Sequence, residues 1–367
     1  VVVTASSVPR ALVAVVALAT SARAEPLASG PQREPVKVFC YVETIFGGAR
    51  AEAVDLTVCT HLVEAFLLPS PSGEVRAANG LPRRPLLREA RRRGCRALVA
   101  VGGATVPGAT FAALAAAPEA RRRFADEVAR FVVDAGYDGV DLDWEFPGPA
   151  ERGLLVELVQ AVRRGLEAAF AAAGRAERPL VVVGVTPGAH LEGYDFRALA
   201  PHVDDFIQFG YDFRNPALGP WASTATLWPD GAARPVEASV RGVASELLRR
   251  GVPRRKLVVA LPLYAGDGRP WVEVRAGALQ AAATMHPLFL ETPWDGTWIT
   301  GPAALAAKVR KVVAGSEIAG GGAAGIALWQ LGHQGPFHEL TDAVREALRP
   351  PLTGARASPP RSRPAPP

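Results

Sequence analysis

Residues 136–147 read Gly-Tyr-Asp-Gly-Val-Asp-Leu-Asp-Trp-Glu-Phe-Pro. Asp141, Asp143 and Glu145 alternate with other residues. On a β-strand this spacing places all three carboxylates on one face, about 7 Å apart in sequence order. Like charges on one buried face repel, and folding alone would avoid them. The arrangement makes chemical sense if protons are shared and one carboxyl stays neutral at working pH. Glu145, at the end of the ladder, then suits a general acid. Asp138 has the opposite parity and is expected to make a structural hydrogen bond. Two other readings exist. A water-exposed face fits poorly with Val140 and Leu142 opposite. A hard-cation site would draw every ligand from one strand.

Something must hold that ladder in place. Apolar strand-like runs occur at 37–43, 60–67, 96–101, 137–143, 180–185, 205–211, 256–262 and 324–329. Helical periodicity lies between them, with Phe124, Val128, Phe131 and Val132 on one face of 118–135. Leu154, Leu155, Leu158, Val162 and Leu166 share a face of 150–172. Further helices fit 83–93, 234–250, 302–314 and 339–348. Continuous apolar strands joined by helical crossovers mean a parallel sheet buried on both faces. Eight such units predict an α/β fold, a (β/α)8 TIM barrel, with Glu145 at the C-terminal rim where such barrels carry their sites. A doubly wound open sheet is the alternative. Its glycine fingerprint should follow the first strand, whereas Gly320, Gly322 and Gly325 precede the last one and read as a turn.

The chain has 367 residues, 49% hydrophobic and 21% charged, with a formal charge of +5. That composition can bury a full core and excludes a mostly disordered chain. The arginines are scattered or in short runs with acids nearby, and no nucleic-acid motif accompanies them, so no nucleic-acid partner is expected. Three cysteines exclude a disulfide-rich scaffold. Cys59 and His61 have no second ligand pair, so no metal site is expected, and no cofactor motif stands out. Residues 1–24 have the pattern of a secretory signal: Arg10, the apolar run Ala11–Thr20, and Ala22-Arg23-Ala24 as a cleavage site. The reading is therefore a signal at 1–24, a linker at 25–35, a catalytic domain at 36–348 and a disordered Pro/Arg-rich tail at 349–367. The protein is expected to be secreted, monomeric and free of the membrane after signal cleavage.

At the carboxylate ladder the chain resembles glycoside hydrolase family 18, the chitinase family. The DxxDxDxE signature stands as Asp138, Asp141, Asp143 and Glu145, with Trp144 in the form common in chitinases. Other segments agree in order. Phe39-Cys-Tyr41 resembles the first strand and Cys59 to Phe66 the second. Ala100-Val-Gly102-Gly103 matches the third-strand SxGG, and Phe209-Gly-Tyr211-Asp212 the sixth-strand MxYD. Leu261 to Tyr264 and Ile326 to Trp329 match the last two strands. The resemblance covers about residues 36–348.

The resemblance implies a retaining, substrate-assisted glycosidase. Glu145 would protonate the glycosidic oxygen. The acetamido oxygen of the sugar would attack the anomeric carbon and form an oxazolinium ion. Asp143 would bind the acetamido N–H, Asp141 would share a proton behind it, and Tyr211 would donate its hydroxyl. Trp329 would floor the −1 subsite (the sugar whose bond is cleaved). Tyr41, Phe66, Phe209, Asp212 and Trp271 are further substrate-binding candidates, and Gly102 and Gly103 structural ones. Trp221, Trp228, Trp294 and Trp298 fall in predicted loops. They suit sugar stacking or capping of the helix layer. Cys40 and Cys59 match a disulfide of some relatives, leaving Cys95 free. Ala65–Phe66 and Trp329–Gln330 are candidate cis peptides. Glu64 replaces an aromatic or small residue and is expected to alter a subsite. The segment Tyr264 to Gly301 is too short for a full α+β insertion domain, so a shallow cleft is expected. The implied activity is endochitinase-like hydrolysis of β-1,4-linked N-acetylglucosamine in chitin or a related glycan. An endo-β-N-acetylglucosaminidase acting on N-glycans or peptidoglycan is the alternative. A catalytically silent glycan-binding barrel is a second.

Overall fold

The computed structural model describes residues 35–43, 54–78, 80–213, 239–283, 292–295, 297–315, 318 and 321–349. The expected signal, the linker up to residue 34, the tail from residue 350, Trp221 and Trp228 lie outside them, as does the side chain of Trp294.

Eight parallel strands form the centre: β1 (Lys37–Glu43), β2 (His61–Pro69), β3 (Arg96–Gly102), β4 (Gly139–Asp143), β5 (Leu180–Val185), β6 (Asp205–Phe209), β7 (Leu257–Pro262) and β8 (Gly325–Trp329). Each pairs with the next, and β8 pairs with β1, so the sheet closes. This is the (β/α)8 barrel that the apolar runs predict. Every strand is buried along nearly its whole length, because the lumen covers one face and the helices the other.

Side-chain parity sorts the residues. Phe39, Tyr41, Val63, Ala65, Leu98, Ala100, Val182, Ile207, Val258, Ala260 and Ala327 fill the lumen. Val38, Cys40, Val42, Leu62, Val99, Val140, Leu142 and their outward neighbours pack under the helices. At the N-terminal mouth, Lys37 Nζ donates to Asp205 Oδ1 at 2.5 Å. His61 stacks on Phe39 at 4.1 Å. Burial pushes the His61 imidazole down to about 3, so it sits there neutral.

The outer ring holds helices Arg84–Arg92, Pro118–Ala135, Arg152–Ala172, Val240–Arg250, Pro302–Ala314 and Glu339–Ala347 where periodicity placed them. Among the described residues the single turn Phe196–Leu199 was not foreseen, nor were two longer helices, Gly108–Ala116 and Trp271–Ala282. Between Tyr264 and Gly301 the described residues form the second of these and a small hairpin, Thr292–Trp294 with Thr297–Ile299.

Asp138 does the structural work its parity suggested. Its Oδ2 accepts from Ala97 N at 2.7 Å and its Oδ1 from Arg175 at 2.8 Å, tying β3 to the start of β4. Cys40 and Cys59 form a disulfide across 19 residues of sequence. Cys95 is free and buried, its thiol donating to the Cys59 carbonyl at 2.8 Å. Closing a loop of this length stabilises by on the order of 3 kcal/mol in the chain-entropy account. Reduction is therefore expected to lower the melting temperature by several degrees. Thermal melts with and without reductant check this, and identical curves would contradict it.

Candidate active site

β4 carries Asp141 and Asp143 inward, and the chain continues through Glu145 at the C-terminal rim. Asp141 is deepest, 1% exposed; its Oδ2 accepts from Tyr41 Oη of β1 at 2.7 Å, and its Oδ1 has no partner among the described residues. Asp143 lies above it, 6% exposed, and its carboxyl is hydrogen-bonded to that of Glu145. Burial raises all three carboxyls. Asp141 is pushed up to about 6, opposed by the Tyr41 hydrogen bond. Asp143 rises well above the usual range, through burial and then the charges of Glu145 and Asp141. Glu145 is pushed up to about 7 by burial and by the Asp212 carboxylate, against the lowering effect of its Asp143 bond. Burial thus favours the protonated forms and brings the titration of the row toward neutral pH.

The backbone beneath is fitted to this. Gly102 and Gly103 have φ of +114° and +78°. A Cβ on Gly102 would lie 2.2 Å from the Asp143 carbonyl oxygen, and one on Gly103 would lie 2.6 Å from the Phe66 ring. Gly103 N donates to that same carbonyl at 2.9 Å. Only glycine allows this backbone and this closeness together.

A cleft of about 390 Å³ opens above the row. Asp143, Glu145, Tyr41, Phe66, Phe209, Tyr211, Asp212 and Trp329 all line it. Trp329 meets Tyr41 at 5.3 Å and Phe66 at 5.9 Å, a wall of three rings from β1, β2 and β8. Tyr211 stacks on Phe209 at 5.5 Å, and Asp212 accepts from Tyr264 Oη at 2.9 Å. Asp212 has φ of +58°, a left-handed turn that re-aims the chain just beyond β6. Ala65–Phe66 and Trp329–Gln330 are cis, and so is Glu145–Phe146. Gln330 is fixed by accepting from Gly332 N at 3.0 Å and Glu43 N at 3.4 Å.

Two expectations need correction. Trp271 does not reach the cleft. It opens helix Trp271–Ala282, is 1% exposed and packs in the outer core, because the chain turns back beyond β7 before that helix begins. Glu64 alters no subsite. It is out of phase with the lumen residues Val63 and Ala65 and points under the helices. There it accepts from Tyr137 Oη at 2.6 Å and Arg83 N at 3.3 Å. Burial pushes it up to about 7. Trp144 also lies outside the lumen, stacked on Phe111 at 5.4 Å, so it packs the barrel and does not line the cleft. Trp298 is likewise absent from the cleft lining.

Sequence reasoning missed Ala104, Thr105, Phe146, Thr186, Pro187, His190 and Tyr264, which line the cleft as well. All stand just beyond the ends of β3, β4, β5 or β7. Position at a strand's C-terminal end was the available signal. Among the described residues no group of His, Cys, Asp and Glu is arranged to hold a metal ion, and no helix is long and apolar enough to cross a membrane.

A closed (β/α)8 barrel with paired carboxyls raised toward neutrality at its C-terminal rim, under an aromatic-walled cleft, defines a glycosidase-type site. Residues 37–301 match the model of the Glycosyl hydrolases family 18, and the chain belongs to that family. It is 29% identical over 254 residues to a "Probable endochitinase" of Caenorhabditis elegans, a match covering 63% of this chain and 39% of that protein. It is 27% identical over 283 residues to an "Endochitinase" of Manduca sexta, covering 48% of that protein, so the chain spans less than two thirds of the length of these relatives. In fold it superimposes on a class V chitinase of Nicotiana tobaccum, a mutant in complex with NAG4, with a TM-score of 0.71. That likeness has 21% identity and covers 86% of this chain and 99% of that one.

Proposed function

We propose that this protein is a secreted endochitinase-like hydrolase that cleaves β-1,4-linked N-acetylglucosamine polymers by substrate-assisted catalysis. The observation that carries it is the Asp141–Asp143–Glu145 row, its two aspartates buried and its glutamate half-buried at the rim, beneath a cleft walled by Trp329. Two acids at one rim invite a protein nucleophile, but Asp143 is hydrogen-bonded to Glu145 and held protonated by burial, which makes it a poor one. The acetamido oxygen of the bound sugar fills that role.

In this mechanism Trp329, with Tyr41 and Phe66 behind it, takes the apolar face of the −1 sugar. Glu145 gives its proton to the glycosidic oxygen as the C–O bond breaks. The acetamido oxygen attacks the anomeric carbon and forms the oxazolinium ion. Asp143 turns its oxygen to the acetamido N–H and passes its proton toward the unpartnered Oδ1 of Asp141. Developing positive charge then faces a buried carboxylate. Tyr211 donates to the acetamido group. Glu145, now a carboxylate, takes a proton from water as it opens the ring ion, so the configuration is retained.

The acid must hold its proton at the start. With Glu145 near 7, the protonated fraction falls tenfold per unit above that value. kcat/KM is therefore expected to fall along an alkaline limb that begins near pH 7. A pH–rate profile checks this, and activity flat to pH 9 would contradict it.

The reading is tested by incubation with chitohexaose and with an N-glycopeptide, following products by mass and anomeric form. Cleavage of the hexamer with the β-anomer formed first is expected. Release of the N-glycan with the hexamer untouched would overturn the substrate, and binding without cleavage would overturn the activity.

A further inference from the structure

Gly184 stands two residues beyond the lumen residue Val182 on β5, so period two turns it inward as well. Its backbone is ordinary strand with no positive φ, which any residue could adopt. Glycine weakens a strand interior, and there it marks a place where another group must come close. Here that group belongs to the carboxylate row. A Cβ on Gly184 would lie 2.9 Å from Asp143 Oδ1, and 3.0 and 3.3 Å from two atoms of the Phe209 ring. The carboxyl from β4 and the ring from β6 meet over the bare position between them.

The strand has no room to retreat from an added methyl. β5 is paired to β4 as far as Val183 with Leu142, and to β6 with Gly184 opposite Ile207. The Gly184 carbonyl also accepts from the buried Tyr194 Oη at 3.3 Å. The Asp143 carboxyl hangs on two side-chain torsions, so it is the lighter part and the one that would give way. Reaching an ordinary contact distance would move its oxygen by about 0.5 Å. A shift of that size leaves the barrel intact. It does change where the carboxyl points, between the Glu145 group it bonds and the buried Asp141 beneath.

We propose that Gly184 is a positioning residue: its bare α-carbon is the clearance in which the Asp143 carboxyl turns from Glu145 toward Asp141 during catalysis, with the Phe209 ring as the opposite wall. This rests on the reading of Asp143 as the group that serves the acetamido N–H.

The test is a double-mutant cycle on chitohexaose. Gly184→Ala is expected to lower kcat by about tenfold, with KM within about threefold of the wild type, because a misplacement of about 1 Å can cost about 10²-fold. The melting temperature should stay within a few degrees, since only a side-chain tip moves. In the Asp143→Asn background the same change should alter kcat by less than about twofold, because the group it acts through has lost its charge. An equal loss in both backgrounds would place the effect in barrel packing and overturn the proposal, as would a Gly184→Ala kcat within about twofold of the wild type. If Gly184→Ala does not fold, it is made together with Phe209→Leu, which frees the ring side and leaves the methyl against the carboxyl alone. That protein should fall about tenfold below Phe209→Leu by itself, and equal rates would overturn the proposal. Wild-type protein inert toward chitohexaose would remove the proposed function, and this role of Gly184 with it.

Discussion

Glu145→Gln is expected to lower kcat on chitohexaose by about 10³- to 10⁴-fold, the upper part of the range for general acid–base catalysis. The amide matches the carboxyl in shape and can keep a hydrogen bond to Asp143, so the cleft should retain its form. It has no proton to give the departing oxygen and cannot later accept one from water. Oligosaccharide binding, measured by tryptophan fluorescence or calorimetry, should stay within a few-fold of the wild type. The pairing of lost turnover with kept binding separates this role from a structural one. Hydrolysis within tenfold of the wild type would remove Glu145 as the acid.

Asp143→Asn should cost about 10²- to 10³-fold in kcat, with a much smaller change in KM. The loss is in charge: the carboxylate that faces the oxazolinium ion is replaced by a neutral amide, a change of the size measured when one preorganised electrostatic group is removed. Asp141→Asn should cost less, because Asp141 is absent from the cleft lining and is held by Tyr41 at 2.7 Å. Steady-state kinetics of the two variants beside the wild type give the order. An Asp141 variant more damaged than the Asp143 variant would contradict the assignment of charge stabilisation to Asp143.

Much of this was legible because period two is strict. Once 137–143 reads as a buried strand, Asp141, Asp143 and Glu145 must share the lumen face and Asp138 must leave it. The structure agrees at each of these. The same rule was available for Glu64: Val63 and Ala65 face the lumen, so Glu64 could not. The family pattern drew attention to the position while its parity pointed the other way. Helices Gly108–Ala116 and Trp271–Ala282 escaped because alanine occupies most faces and leaves little apolar stripe to detect. The burial of Trp271 followed from that omission, since in an unassigned loop it looks available to a ligand. The hydrogen bond from Tyr41 to Asp141 joins residues 100 apart, and the stack of Phe146 on His190 joins two loops. Neither has a periodic trace, because each depends on barrel closure and loop seating.

The central claim is that the attacking atom belongs to the ligand. It is tested most directly by digesting partially N-acetylated chitosan and sequencing the products from their new reducing ends. Every new reducing end should be N-acetylglucosamine, since a glucosamine unit in the cleaved position carries no acetamido oxygen. Glucosamine at new reducing ends, formed at a comparable rate, would show that the acetamido oxygen is not the nucleophile.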